Sequence, residues 1–305
     1  MTALLERAAT PPITRSTLGV RTAGIATTVQ DLGRPGYAHL GVSPSGPADA
    51  RSFTLANRLV GNPEGAAALE ITLGGLEFEL STDRYVAVTG APVPVTVDGV
   101  PVAEPTRLYV HAGTVVRLGR PAGGLRTYLA VAGGIATPGV LGSASRDTLS
   151  GLGPEPVRDG TVLDLGEPGA VPDVPLELAF SRIPYGAAAV GIRWGPRDAL
   201  FDAADRRLLS GTDWQVTDRL DRVGVRLSGR PLGIGRVHLP SEGMVRGAIQ
   251  VPPSGEPIVF LADHPATGGY PVIAVVTEPD LSLVAQATPG TRIRFVPVKG
   301  REKFR

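Results

Sequence analysis

Hydrophobic and polar positions change period along this chain. From Gly19 onward most of them alternate, which is the signature of half-buried strands. ALEITLGGLEFEL (68–80) predicts two strands around a Gly-Gly break, and YVAVTGAPVPVTVDGVPV (85–102) places Asp98-Gly99 between β-branched runs, a hairpin with a type I′ turn. TVVRLGRPAGGLRTYLAVAG (114–133) predicts a further pair around Pro121–Gly124, so this region reads as strands on consecutive hairpins. A helical period stands out at 47–60, where Phe53, Ala56 and Leu59/Val60 share a face. There Ser45 or Gly46 is the expected N-cap, Pro47 the first helical residue and Gly61-Asn62 the stop.

After 133 the period is lost for more than twenty residues, as far as 156, and PGAVPDVPLE (168–177) is rich in proline. Beyond it the pattern predicts a short helix at 196–209, strands at 214–217 and 222–227, and a hairpin at 247–263 turned by Pro252–Glu256. A strand, a short helix capped near Thr277 and a closing strand complete 270–298. Each half carries strands, one helix and a polar loop rich in Gly and Pro, so the fold class is mainly β, as two tandem barrel-like units with a few short helices. The expected division is a leader at 1–15, a first unit at 16–125, a second at 126–300 and a tail at 301–305.

Composition sharpens this picture. The 305 residues include 40 glycines and 29 prolines, close to a disordered composition, but 42% of the chain is hydrophobic and interleaved with them, which favours short strands and tight turns. Aromatics are only 5%, so Val, Leu, Ile and Ala must form the core. A net charge of +1 gives no footprint for nucleic acid or an anionic membrane, and no apolar run approaches 18 residues. The N-terminal apolar patch, broken by Glu6 and Arg7, is too short for a signal sequence, so a cytosolic location is expected. Cysteine is absent, which excludes disulfides, thiolate nucleophiles and cysteine-held zinc. The two lysines, Lys299 and Lys303, lie in the last seven residues, which argues against a Schiff base or a phosphate-binding lysine in the body.

Four polar segments remain as candidate sites. VQDLGRPGYAHLGVSPSGPAD (29–49) is far longer than an ordinary connection of about 4–6 residues. Its seven glycines and prolines let the backbone approach a ligand, and Gln30, Asp31, Arg34, Ser45 and Asp49 offer an amide, carboxylates, a guanidinium and a hydroxyl. The same residues also suit turn closure and helix capping, and the two readings are evenly matched. GSASRDTLSG (142–151) presents Ser143, Ser145 and Arg146 in the composition of a carboxylate or phosphate clamp, or of a solvated loop. No G-x-S-x-G elbow is present. In TDRLDRVGVRLSG (217–229) Asp218 and Asp221 read as turn residues and Arg222 as a candidate cation, while Gln250 follows Ser241-Glu242-Gly243 around a strand. HPATGGYP (264–271) offers Gly268 and Gly269 as a concave pair of backbone N–H groups, with Tyr270 as a donor, or simply a tight bend. Histidines 39, 111, 238 and 264 have no metal-ligand spacing, so no metal is expected, and Gly233-Ile-Gly235 fails the dinucleotide fingerprint.

These segments carry a resemblance. VQDLGRPGYAHLGVSPSGPAD, LANRLVGNP, ALEITLGG, GGI, LGSASRDTLSG, DRVGVRL, SEGMVRGAIQVPPSGEPI and TGGYPVIAVV occur in the order found in the allophanate hydrolase subunit 2 family, also called the biotin-dependent carboxyltransferase or KipA family, whose members include a subunit of ATP-dependent 5-oxoprolinase. The resemblance spans about Val20 to Val298 and implies two cyclophilin-like β-barrels. It also implies a KipI-like (allophanate hydrolase subunit 1) partner, with a third subunit of LamB/YcsF type, and ATP consumed by the complex. One departure is that Pro265 and Ala266 precede Thr267 where many members carry Gln-Thr-Thr.

The activity implied first is hydrolysis of 5-oxoproline to glutamate. In that reading Asp31 and Asp49 move protons, while Gln30, Arg34, Ser45, Ser143, Ser145, Arg146, Arg222, Gln250, Gly268, Gly269 and Tyr270 bind substrate or phosphate. Alternatives are a carboxyltransferase or allophanate hydrolase component of urea metabolism, with biotin only on a separate carrier, and a regulatory protein that binds a KipI-like inhibitor of a sensor kinase.

Overall fold

The computed structural model describes residues 15–103, 106–171, 183–233 and 239–298. The expected leader, save Arg15, the tail, both lysines, His238 and most of the proline-rich stretch lie outside them. In the first half the strands are β1 (Thr17–Thr22), β2 (Ala26–Gln30), β3 (Ala68–Thr72), β4 (Glu77–Leu80), β5 (Arg84–Gly90), β6 (Val95–Val97), β7 (Val100–Pro101), β8 (Arg107–Val110), β9 (Val115–Leu118), β10 (Arg126–Val131) and β11 (Val162–Asp164). They form a six-stranded sheet, β11-β1-β4-β9-β6-β7, and a five-stranded sheet, β2-β3-β10-β5-β8. Leu18, Phe78, Val116, Ile71, Val86 and Leu129 from both sheets share one core.

β3 and β4 do not pair with each other, nor do β9 and β10; each pair straddles the two sheets, unlike the consecutive hairpins expected. The reason is visible at the corners. Leu73, Gly74 and Gly75 all have positive φ (59°, 66° and 88°), which swings the chain from one sheet to the other. Gly74 abuts the second corner so closely that a Cβ there would fall 2.0 Å from the Gly119 carbonyl oxygen. The type I′ turn at Asp98-Gly99 is present, with φ of 47° and 80°, between β6 and β7.

α1 (Ala50–Leu59) starts later than the sequence suggests. Its N-cap is Asp49, whose carboxylate accepts from Ser52 N, and Ser45, at φ 55°, lies upstream in a left-handed turn. The helix lays Phe53, Ala56 and Leu59 on Ala87, Tyr128 and Ala130 of β5 and β10, so β10 is buried on both faces along its whole length, Arg126 and Thr127 included. Burying one side chain such as Phe53 contributes roughly 1.5–3 kcal/mol.

The second half comprises β12 (Ala187–Trp194), β13 (Trp214–Leu220), β14 (Gly224–Ser228), β15 (Glu242–Gly243), β16 (Ala248–Gln250), β17 (Ile258–Phe260), β18 (Thr267–Gly268), β19 (Val272–Val276) and β20 (Arg292–Pro297). Seven of these close a barrel, β12-β19-β16-β17-β14-β13-β20, sealed by a parallel β12/β20 pair, while β15 and β18 form a separate two-stranded flap. α2 (Ala203–Gly211), capped by Asp202, replaces the longer helix expected at 196–209, of which Asp198–Leu200 is a 3₁₀ turn. α3 (Glu278–Gln286) follows Thr277 as expected and contributes Leu281 and Val284 to the barrel core of Trp214, Phe295, Ile249 and Ile273.

The fold is mainly β with short helices. Closure into a barrel is seen in the second half, whereas the first half keeps two facing sheets. The division expected at 125/126 falls inside the first unit, because β10 is its central strand and β11 completes its other sheet by pairing with β1. No described helix is long and apolar enough to cross a membrane.

Candidate functional site

The two halves meet over a buried polar network. Glu70, on β3 between Leu69 and Ile71, is 1% exposed and accepts from Arg222 Nη1 (2.5 Å), Tyr128 Oη (2.8 Å) and Ala48 N (2.8 Å). Arg222, just after β13, also donates to Asp263 through Nε (2.9 Å) and Nη2 (3.0 Å), and to the Gly46 carbonyl (2.5 Å). Asp263 in turn accepts from Ser45 Oγ, Thr148 N and Thr148 Oγ1. Arg126, which opens β10, reaches into the second half with bonds to the Ala285 and Asp221 carbonyls, and its Nε lies 3.5 Å from Glu70.

Burial alone would raise the pKa of both carboxylates. The Arg222 guanidinium beside them, aided at Glu70 by Arg126, outweighs that and holds both below the ordinary carboxylate range. Arg222 is correspondingly driven upward by Glu70 and Asp263 against the effect of its own burial. Tyr128 is pushed well above its usual value by burial and by Glu70 and Asp49, so it stays a neutral donor to Glu70. Burial also lowers His264, whose Nδ1 donates to the Pro265 carbonyl (2.9 Å), leaving Nε2 as the lone-pair nitrogen.

Beside this network is a cavity of about 450 Å³. Thr28 and Thr72 of the first half face Leu220, Asp221 and Val223 of the second across it, with Arg126, Arg222 and Thr148 in its wall. Arg222 uses four of its five N–H groups on protein, which leaves one, and Arg126 uses one proton on each of Nη1 and Nη2, which leaves the second proton of each, its Nε being buried beside Glu70. Thr28 Oγ1, which accepts from Gln30 Nε2, adds a hydroxyl proton. Such a wall suits a small molecule with a carbonyl or carboxylate oxygen, within the usual volume range of about 300–1,000 Å³.

The residues singled out from the sequence fall into three groups. Asp31 clamps two loops together, accepting from Gly33 N, Ser143 Oγ, Ser145 Oγ and Ala144 N at 2.5–2.8 Å. Arg34, 1% exposed, donates to the Val140 and Ser145 carbonyls. Arg146 turns to the Gly151 carbonyl (2.9 Å), while its own carbonyl accepts from Gln30 and Ser45. Of this first group Ser45 touches the network directly, through Asp263. Asp49 stands apart, 1% exposed, with Oδ1 accepting from Ser52 N and Ser282 Oγ and Oδ2 from Ser52 Oγ and Gln286 Nε2; it joins α1 to α3. Gln250 and Tyr270 form the third group and line a separate groove on the second barrel, with Gly268 on the adjoining flap. Of Asp31, Arg146 and Tyr270, only Tyr270 lines either the cavity or this groove. Asp49 has two protein donors on each oxygen, whereas half-buried Asp31 has three on Oδ1 and one, Ala144 N, on Oδ2.

Glu70, Arg126, Tyr128, Thr148 and Asp263 were missed from the sequence. Glu70 and Arg126 did leave a trace, as charges set within strands that are otherwise apolar. Among the described residues there is no group of three or more His, Asp or Glu positioned to hold a metal ion.

Residues 40–297 match the family model for the carboxyltransferase domain, subdomains A and B. The chain is 39% identical to a subunit of the 5-oxoprolinase of Escherichia coli over 90% of its own length and 89% of that protein. It is 34% identical to urea amidolyase of Saccharomyces cerevisiae over 90% of its length, but spans only 16% of that larger protein. The solved urea amidolyase of Kluyveromyces lactis superposes with a TM-score of 0.87 at 32% identity, over 93% of this chain and 19% of that one. The chain belongs to the carboxyltransferase domain family, subdomains A and B.

Proposed function

We propose that this protein is a subunit of an ATP-dependent, amide-processing complex, and that its reaction is hydrolysis of 5-oxoproline to glutamate together with a KipI-like subunit. The observation that carries this reading is the cavity between the halves, walled by the guanidinium groups of Arg126 and Arg222 and the hydroxyls of Thr28 and Thr148. The similarity to a 5-oxoprolinase subunit over nearly both full lengths supports the choice of substrate. A lactam nitrogen is a poor leaving group, and fixed N–H donors aimed at the amide oxygen or at the ring carboxylate stabilise the charge that builds as water adds.

A nucleotide does not suit this cavity. Glu70 and Asp263 already pair with Arg222 behind the wall, and Asp221 stands in the wall itself, so a triphosphate would find too little uncompensated positive charge there. ATP is therefore assigned to a partner chain. Asp31 and Asp49 act as positioning residues in this proposal and not as proton carriers, since their oxygens are occupied within the fold.

Co-expression with a KipI-like partner and a LamB/YcsF-type subunit, followed by an assay for 5-oxoproline-dependent phosphate release, tests the proposal. ATP hydrolysis that proceeds equally with and without 5-oxoproline would overturn it. A second reading, a carboxyltransferase acting on urea or a similar amide with biotin on a separate carrier, is favoured by the family match and by the urea amidolyase relative. It predicts turnover of carboxybiotin by the same cavity.

A further inference from the structure

Of the two guanidinium groups in the cavity wall, Arg126 has more left to give a guest: the second proton of Nη1 and of Nη2, against a single N–H on Arg222. What fixes Arg126 comes from the other half. Gln286, the last residue of α3, is 0% exposed, and its Oε1 accepts from Leu125 N (3.0 Å) and Arg126 N (2.9 Å). Its Nε2 donates to the Arg126 carbonyl (2.8 Å) and to Asp49 Oδ2 (2.9 Å). Every hydrogen-bonding place on the amide is therefore filled, and all but one are filled by Leu125 and Arg126, both of which line the cavity.

The fold leaves a fitted slot for this amide. Gly90 and Gly124 flank it at φ 84° and 82°, and a Cβ would stand 3.3 Å from Gln286 Nε2 at the first and 3.2 Å from Oε1 at the second. β5 ends at Gly90, opposite Thr127, and the side-chain amide there gives β10 the acceptor and the donor that a neighbouring peptide would. The guanidinium is held from the same place. Arg126 Nη1 donates to the carbonyl of Ala285, in the last turn of α3, where a helix has no partner of its own for its carbonyls and its dipole favours a cation. Consecutive residues at the end of α3 thus hold the side chain and the backbone of one cavity residue.

We infer that Gln286 is a positioning residue for the reaction: it sets where the Arg126 guanidinium stands, and Arg126 presents its remaining protons to the carboxylate of the substrate. The inference rests on reading the inter-half cavity as the substrate site. Gln286 is not itself in the cavity wall, so it acts through Arg126. Asp49 completes the chain by fixing which way the amide turns: its Oδ2 takes an N–H, which leaves the amide oxygen to face Leu125 N and Arg126 N. A misplacement of about 1 Å in a binding group can cost about a hundredfold, so a residue with no contact to the substrate can still govern how well it is held.

Steady-state kinetics of 5-oxoproline-dependent phosphate release by the co-expressed complex test the inference. Gln286→Glu sets an oxygen against the Asp49 carboxylate and the Arg126 carbonyl, and Asp49→Asn keeps the α1 cap but turns an N–H toward Gln286 Nε2. Each should raise KM for 5-oxoproline about tenfold, as when one charge-assisted contact is lost, with kcat within about twofold of the parent. Arg126→Gln should raise KM at least as much, and adding Gln286→Glu to it should raise KM no further, because both changes remove the same contact. Circular dichroism checks the fold of each variant; should Gln286→Glu not fold, Asp49→Asn decides by itself. An unchanged KM in the folded variants, a fall in kcat alone, or KM effects that multiply in the double variant would overturn the inference and leave the cavity as the substrate site. A parent complex with no 5-oxoproline-dependent release would overturn the proposed function, and this inference with it.

Discussion

Arg222 makes four hydrogen bonds from one guanidinium, to Glu70 of the first half and to Gly46 and Asp263 on either side of the interface. Its loss would leave two buried carboxylates unpaired, so Arg222→Leu is expected to destabilise the protein by about 3–5 kcal/mol in urea unfolding. The pH dependence identifies the cause. Glu70 and Asp263 have folded values below their unfolded ones, so the unfolded chain binds more protons as pH falls through that window. Their contribution is complete above about pH 4 and is lost below it. In Arg222→Leu the largest influence opposing burial is removed, although Arg126 and Ala48 still act on Glu70, and Thr148 and Ser45 on Asp263, so both folded values move upward. The variant should therefore gain less stability than the parent as pH rises through about 4, and urea midpoints measured from pH 3 to 8 would show the difference between the two narrowing toward acid pH.

The residues read from the sequence as ligand-binding mostly bind the protein's own loops, because spacing cannot tell a clamp for a substrate from a clamp for a neighbouring turn. The carboxylate of Asp31 takes in the loop 143–145 from more than a hundred positions away. No local pattern records that pairing. Arg222 was legible as a cation, but its partners Glu70 and Asp263 lie 152 and 41 positions away.

At the scale of elements, α1 shows how a local signal can be right in kind and wrong in position. Pro47 and Ser45 are sound helix-start residues, but the backbone at Ser45 and Gly46 is left-handed and the helix waits for Asp49. That aspartate also receives Ser282 and Gln286 from α3, so it caps one helix and ties it to another. Asp49→Ala should cost more than the roughly 0.5–2 kcal/mol of a lost cap, because the Ser282 hydroxyl and one N–H of Gln286, whose other goes to the Arg126 carbonyl, lose their acceptor. Asp49→Asn should restore part of the difference, as thermal unfolding of the three proteins would show. Strand positions were largely readable from alternation, and so was the Asp98-Gly99 turn. Which strands pair was not, since the corners at Gly74 and Gly119 send successive strands to different sheets.

For the whole molecule, the space between the halves is the feature on which the proposed activity rests. Leu149 is 52% exposed and stands in its wall, so Leu149→Trp should fill the cavity while leaving the cores intact. In the co-expressed complex, 5-oxoproline-dependent phosphate release should fall at least about tenfold with the melting temperature unchanged. A variant that turns over normally would move the reaction elsewhere. The mainly β fold was legible from composition and period, but the limit of the first unit was not, because Leu18 pairs with Leu163 across almost half the chain.

That long-range pairing bears on how the protein is made. A nascent chain that has emerged only as far as residue 125 still lacks the middle strand of one sheet and the edge partner of the other. The second barrel waits longer, for Arg292–Pro297 to lie alongside Ala187–Trp194. The first unit presents unpaired strand edges until Val162–Asp164 has emerged, and the second until translation is nearly finished, and those intervals are when a chaperone has most to shield.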